Sequence, residues 1–180
     1  VLLYPVHTSG LTSFTIINVT NINTAPATPI SLGGSTNIKF EYVNVQRDED
    51  NRFCPKGCSI FDKVEVLTPA DTLSVLTGCH NADGFLPSYN DDDPMPDMYG
   101  SEGYLVIRAQ DPTSVSQDWS HNYLIGSELV LTSTGISYSL NAISFPSFYG
   151  SGQWTTDGTQ VFFDNNVYFP VADEMYIDPF

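Results

Sequence analysis

Ile38-Lys39-Phe40-Glu41-Tyr42 is the stretch that decides the fold, with three large apolar side chains at every second position and charges between them. Side chains on a strand alternate between two faces, so this pattern buries one face and wets the other, whereas a helix would scatter the same residues around its axis. The period recurs in both directions. Val64 and Val66 alternate with Lys63 and Glu65, Leu73 and Val75 flank Ser74, and Leu105 and Ile107 place Arg108 on the opposite face. Ile136, Tyr138 and Leu140 alternate with Ser137, Ser139 and Asn141, and further strands are predicted over 11–20, 123–131 and 160–169. No long stretch keeps a helical period.

Turn chemistry separates these runs: Pro26, Pro29 and Gly33-Gly34, then Pro69-Ala70-Asp71 as a tight hairpin, then Gly135. About eight strands at this spacing predict an all-β chain, an antiparallel β-sandwich of jelly-roll, immunoglobulin-like or CUB-like kind with long acidic loops and extended termini. The rhythm breaks over 80–102, where Asp91-Asp92-Asp93-Pro94-Met95-Pro96-Asp97 is too acidic and proline-rich to pair in a sheet. The expected organisation is an extended N-terminal strand over 1–10, the sandwich over 11–146, and aromatic C-terminal strands and tail of the same domain over 147–180.

At 180 residues with 41% hydrophobic positions, the chain is one domain's worth and apolar enough to bury a core. Six Lys and Arg stand against 21 Asp and Glu, a formal charge of −15, so nucleic-acid phosphates and anionic bilayers are repelled. No apolar run reaches the roughly 18 residues that a membrane-spanning helix needs, so no membrane insertion is predicted. The opening Val1-Leu2-Leu3-Tyr4-Pro5-Val6 reads as a mature end left by processing. With scarce lysine and cysteines beside turns, it predicts a secreted protein, extracellular or at the cell surface.

Cysteines stand at 54, 58 and 79, with His80 next to the last. A hairpin about Pro69-Ala70-Asp71 would bring Cys58 opposite Cys79, which makes that pair the favoured disulfide. Cys54 with Cys79, Cys54 with Cys58, and a zinc site of Cys54, Cys58, Cys79 and His80 remain open alternatives. Asp48-Glu49-Asp50-Asn51 and Asp91-Asp92-Asp93 offer oxygen ligands of the kind calcium prefers, or simply a solvated acidic surface. No cofactor is called for, with calcium as the possible exception beside the zinc alternative.

Cys58, the Phe61-Asp62 pair, the alternating strand, Gly78-Cys79, and a later strand ending in Gln110-Asp111 follow one another in an order that resembles a CUB domain. The resemblance implies an extracellular recognition sandwich, with Asp62 and Asp111 as calcium ligands. It spans about a third of the chain, and Gln46 falls where an upstream acidic ligand is expected. A second resemblance rests on Leu67-Thr68-Pro69-Ala70-Asp71-Thr72-Leu73, Gly103-Tyr104-Leu105-Val106, Ala109-Gln110-Asp111-Pro112 and Asn122-Tyr123-Leu124-Ile125-Gly126. These segments look like secreted bacterial β-rich surface proteins, which implies an exported sandwich and nothing about catalysis.

No catalytic residue is predicted. His7, His80 and His121 sit in no nucleophile context, Gly100-Ser101-Glu102-Gly103 has its serine one place early for a nucleophile elbow, and no glycine loop cradles phosphate. Trp119, Trp154, Tyr149, Tyr168 and Tyr176 read as core or interface aromatics, with stacking on carbohydrate as the alternative. Asn18-Val19-Thr20 is the single N-linked glycosylation sequon.

The N-terminal run is either an ordinary edge strand with Pro5 facing outward, or an apolar arm that fills a groove on a neighbour through Leu2, Leu3, Tyr4 and Val6. Repeated head to tail, the second arrangement makes a filament. The sequence therefore predicts a non-catalytic structural subunit that partners with itself by terminal strand exchange. Its alternative is a calcium-assisted recognition module binding protein or carbohydrate.

Overall fold

The computed structural model describes residues 1–9, 12–47, 53–77, 80, 101–113 and 118–147. Its strands are β1 (Leu2–Ser9), β2 (Ser13–Asn21), β3 (Thr36–Arg47), β4 (Phe53–Leu67), β5 (Thr72–Leu76), β6 (Ser101–Gln110), β7 (Leu124–Thr132), β8 (Ser137–Asn141) and β9 (Ile143–Ser144). The chain is all-β. Every pairing is antiparallel, in one nine-stranded sheet of order β4-β3-β6-β1-β2-β7-β8, with β5 on β2 and β9 on β1.

The alternating runs become strands where expected. Ile38, Phe40 and Tyr42 are fully buried, while Lys39 and Glu41 between them stay partly exposed. One cluster gathers Leu2 and Tyr4 of β1, Ile17 and Val19 of β2, the three β3 residues, Leu105 and Ile107 of β6, and Leu124 of β7. Strands from β4 to β7 in this order, with Leu67 of β4 among them, therefore bury side chains in a common core.

The predicted hairpin about Pro69-Ala70-Asp71 does not form. β4 pairs with β3 and β5 pairs with β2, so the turn carries the chain from one part of the sheet to another instead of folding it back on itself. The turn is nonetheless built as its residues suggest. Asp71 accepts from Thr68 Oγ1 at 3.0 Å, Ala70 takes a left-handed φ of 58°, and its N–H donates to Asn23 O at 2.9 Å. That donation and a bond from Asn21 N to Asp71 O lash the turn to the end of β2, which is why the chain enters β5 beside β2. The strand contact that would set Cys58 opposite Cys79 is thereby removed. Cys79 itself lies outside the described residues, and the disulfide and zinc alternatives lie there with it.

The N-terminal segment forms a strand of the sheet. Leu2, Leu3 and Tyr4 pair with Ile107, Val106 and Leu105 of β6, and Leu2 and Leu3 also pair with β9. Leu2 and Tyr4 are buried in the core, while Leu3 and Val6 are half-buried. The acidic runs at Asp48-Glu49-Asp50 and Asp91-Asp92-Asp93, the strand expected over 160–169, and the tail with Tyr149, Trp154, Tyr168 and Tyr176 lie outside the described residues.

Candidate functional site

On the side of β3 turned away from the core, register places Lys39 opposite Arg108 and Glu41 opposite Asp62. Like charges facing each other across a ladder repel, so the arrangement holds only if a partner of opposite sign sits diagonally. Glu41 is that partner, two residues along β3. It accepts from Lys39 Nζ at 2.9 Å and from Arg108 Nε at 2.9 Å, and Lys39 also reaches Asp62 at 2.7 Å. Arg108 pairs with Asp118 as well, and Gln110 Nε2 donates to the same carboxylate at 3.3 Å. Burial alone would raise the Glu41 pKa, but hydrogen bonds and charge from Arg108 and Lys39 outweigh it and hold the carboxyl below its usual range.

Asp62 is thus an ion-pair partner of Lys39. Asp111 makes a turn, its Oδ1 accepting from Thr113 N at 2.7 Å and Thr113 Oγ1 at 2.6 Å. The two acids implied as calcium ligands are not brought together. Asp62 is level with Glu41 on one flank of β3, while the Asp111 carbonyl meets Asn37 on the other, and four residues along a strand is about 13 Å. Among the described residues no three His, Cys, Asp or Glu side chains are grouped to hold a metal ion, and no helix is long and apolar enough to cross a membrane.

A second polar set is buried. Between Tyr4, opposite Leu105, and His7, opposite Gly103, β1 carries one residue more than β6. This β-bulge reverses the inward parity, so the buried positions run Leu2, Tyr4, then His7 and Ser9. Pro5 sits in the bulge, where a missing ladder donor costs nothing. Gly103 opposite His7 has no room for a side chain: a Cβ there would lie 1.9 Å from Val43 O and 3.0 Å from His7 Nε2. A cavity of about 300 Å³ opens beside the bulge, walled by Pro5, Val6, Val45 and Tyr104. Burial pushes the His7 pKa down to about 4, with the Val43 backbone opposing. His80 Nδ1 lies 2.7 Å from Tyr42 Oη, and burial and Lys63 lower its pKa to about 3. His121 contacts Asn21 Oδ1 at 3.1 Å and stacks on Trp119, which places that tryptophan in the core.

Glu128, in the middle of β7, is fully buried. Burial raises its pKa to about 8, and the Val6 backbone pulls the other way. Neither His7 nor Glu128 is legible as a special residue from the chain alone. A proline inside an alternating run is the one available signal for the first, because it marks a bulge and a parity change.

The third region is the face of β2, β5, β7 and β8 turned away from the core. Phe14, Ile16, Asn18 and Thr20 of β2 point there, and register sets Leu76, Ser74 and Thr72 of β5 beside them. From β7 come Leu131, Leu129, Ser127 and Ile125, and from β8 Ser137, Ser139 and Asn141. None of these side chains is ionisable, in a chain with 27 charged residues' worth of acids and bases, 21 and six. Asn18 of the sequon lies mid-strand here, accepting from Ser74 Oγ at 2.7 Å.

Compared with protein-family models, with curated proteins and with solved structures, the chain gives no match.

Proposed function

We propose that this chain is a non-catalytic structural module of the cell exterior, a β-sandwich that works by associating with copies of itself. The observation that carries this reading is the orientation of β7. Leu-Ile-Gly-Ser-Glu-Leu-Val-Leu-Thr buries its glutamate and turns Ile125, Leu129 and Leu131 outward, the reverse of what solvent alone would select. Departures of that kind concentrate where a protein meets a partner. Phe14 at 38%, Leu76 at 39% and Ile125 at 52% exposure extend the apolar character across three strands.

Two layers are the natural form of this sheet. β1 meets β2 only at Ser9 and Phe14, yet Tyr4 Oη donates to Asn18 O at 2.8 Å, and a Cβ on Gly126 would lie 1.9 Å from the Tyr4 hydroxyl oxygen. Thr77 Oγ1 also donates to Thr8 O at 2.6 Å. Contacts between strands that share so little ladder support a sheet bent over on itself at the β1–β2 corner. Exchange of β1 is a poor route to assembly, since its outer half is already paired on both sides. Association through a face keeps every strand at home. Acidic composition and scarce lysine support export.

The test is native mass spectrometry of the intact protein over a range of concentrations, beside electron microscopy of the most concentrated sample. Dimers or longer assemblies that grow with concentration are the expected result. A species that stays at 19.8 kDa throughout overturns the reading.

A further inference from the structure

We infer that the outward face of β2, β5, β7 and β8 is a two-fold contact between copies of this chain, packed sheet face against sheet face. This rests on the self-association reading and names its surface. Register makes the apolar part continuous: Ile16 lies between Leu76 and Leu129, and Phe14 lies beside Leu131. The neighbouring row is uncharged and hydrogen-bonded within itself, as in the 2.9 Å contact of Thr20 Oγ1 with Thr72 Oγ1. A two-fold axis through the apolar block lets it meet its own image, with hydroxyls and amides outside it, at the spacing of about 10 Å that stacked sheets adopt.

Charge identifies the occupant. A strongly acidic or basic partner finds nothing on this face to read, because among the described residues no carboxylate or base projects from it. A second copy carries the same formal charge of −15 and is repelled wherever charged surfaces approach. Neutral face against neutral face is the approach that keeps the carboxylates of the two copies farthest from the contact. Area sets the strength. Four strands about 4.8 Å apart and about seven residues long give a patch on the order of 450 Å². That is near half of the roughly 800 Å² per partner in a standard interface, so the contact is weak and concentration-dependent, in the micromolar range or above.

Sedimentation equilibrium of the full chain tests this, with Leu129→Asp and Leu76→Asp beside Val66→Thr, which alters an exposed apolar residue on β4. Leu129→Thr serves as a second variant that keeps strand propensity if the aspartate disturbs folding, and far-UV circular dichroism checks each. We expect the wild type and Val66→Thr to approach twice 19.8 kDa, tightening as salt rises, and Leu129→Asp to weaken association at least about tenfold. If folded Leu129 and Leu76 variants associate within about twofold of wild type, the chain self-associates through another surface, and this inference fails while the broader reading stands. If the wild type remains a monomer at every salt concentration, both fail. Dimers formed only with an added foreign protein would assign the face to a different occupant and overturn the inference.

Discussion

The two halves of the sheet handle ionisable groups in opposite ways. β3 and β6 turn theirs outward and pair them, Glu41 standing between Lys39 and Arg108 with Asp62 and Asp118 at the flanks, while Lys63 and Glu65 of β4 share the inward side with Phe40 and Ile38, next to His80 at the sheet edge. On β2, β5, β7 and β8 the only carboxylate is Glu128, and it is turned inward, while Phe14, Leu76 and Ile125 are exposed and Ile16, Leu129 and Leu131 half-buried on the outward side. A charged, internally satisfied face has little left to offer a partner, whereas an uncharged apolar face keeps its solvent-transfer energy in reserve until something covers it. If the proposed contact forms, the difference separates a face that stays in water from one that is covered.

The strand that joins the halves should give the largest effect. Tyr4 of β1 is fully buried and its hydroxyl bonds Asn18 O on β2. Tyr4→Ala should destabilise the chain by about 3–5 kcal/mol, and Tyr4→Phe by about 1 kcal/mol. Urea unfolding reads this as a lower midpoint at unchanged slope. A loss below about 1 kcal/mol for the alanine variant would show that β1 is not seated between the halves.

Glu128 comes next, through pH. Its folded pKa, raised to about 8, exceeds the ordinary 4.5, so the folded chain holds a proton that the unfolded chain releases, and stability falls as pH rises between those values. The loss by pH 7 is on the order of 3 kcal/mol. The buried histidines act in the other direction: with folded values of about 4, 3 and 4 for His7, His80 and His121 against 6.5, stability falls as pH drops below 6.5. Thermal melts across pH should show both limbs, and Glu128→Gln should flatten the alkaline limb alone. An identical alkaline slope in the variant would refute a buried, protonated Glu128.

How much of this was legible in the chain depends on how far one parity stands out. β3 reads directly because all its large apolar residues from Ile38 to Tyr42 share one parity and its charges share the other. β7 does not, since Leu124 and Val130 fall on one parity and Ile125, Leu129 and Leu131 on the other; the stronger apolar set is the outward one, with Ile125 exposed and the two leucines half-buried. In β1 the Pro5 bulge shifts the phase midway, so Val6 is displaced by His7 from the core. The Pro69-Ala70-Asp71 turn looks like a hairpin locally, but bonds to Asn21 and Asn23 redirect it, and such long-range capture leaves no mark in a short window. The ion-pair face was equally hidden: Asp62 and Arg108 are far apart in sequence, and only register brings both to Glu41's strand.

The charged face supplies the smallest effect and the finest test of the contrast. Removing Glu41 leaves Lys39 paired with Asp62 and Arg108 paired with Asp118, so neither cation is stranded. The 3–5 kcal/mol typical of breaking a fully buried pair therefore does not apply, and the side chain is 21% exposed, which screens part of what remains. Glu41→Ala should cost about 1–2 kcal/mol at neutral pH. Because the folded pKa of Glu41 lies below its ordinary value, its contribution is present above that ordinary value and is lost as pH falls through the folded one. The gap between wild type and variant should therefore close in acid, and it should narrow only modestly in salt. Self-association should not change at all, since Glu41 lies on the half that the proposed contact leaves uncovered; a Glu41→Ala chain that associates differently from wild type would break the division between the two faces.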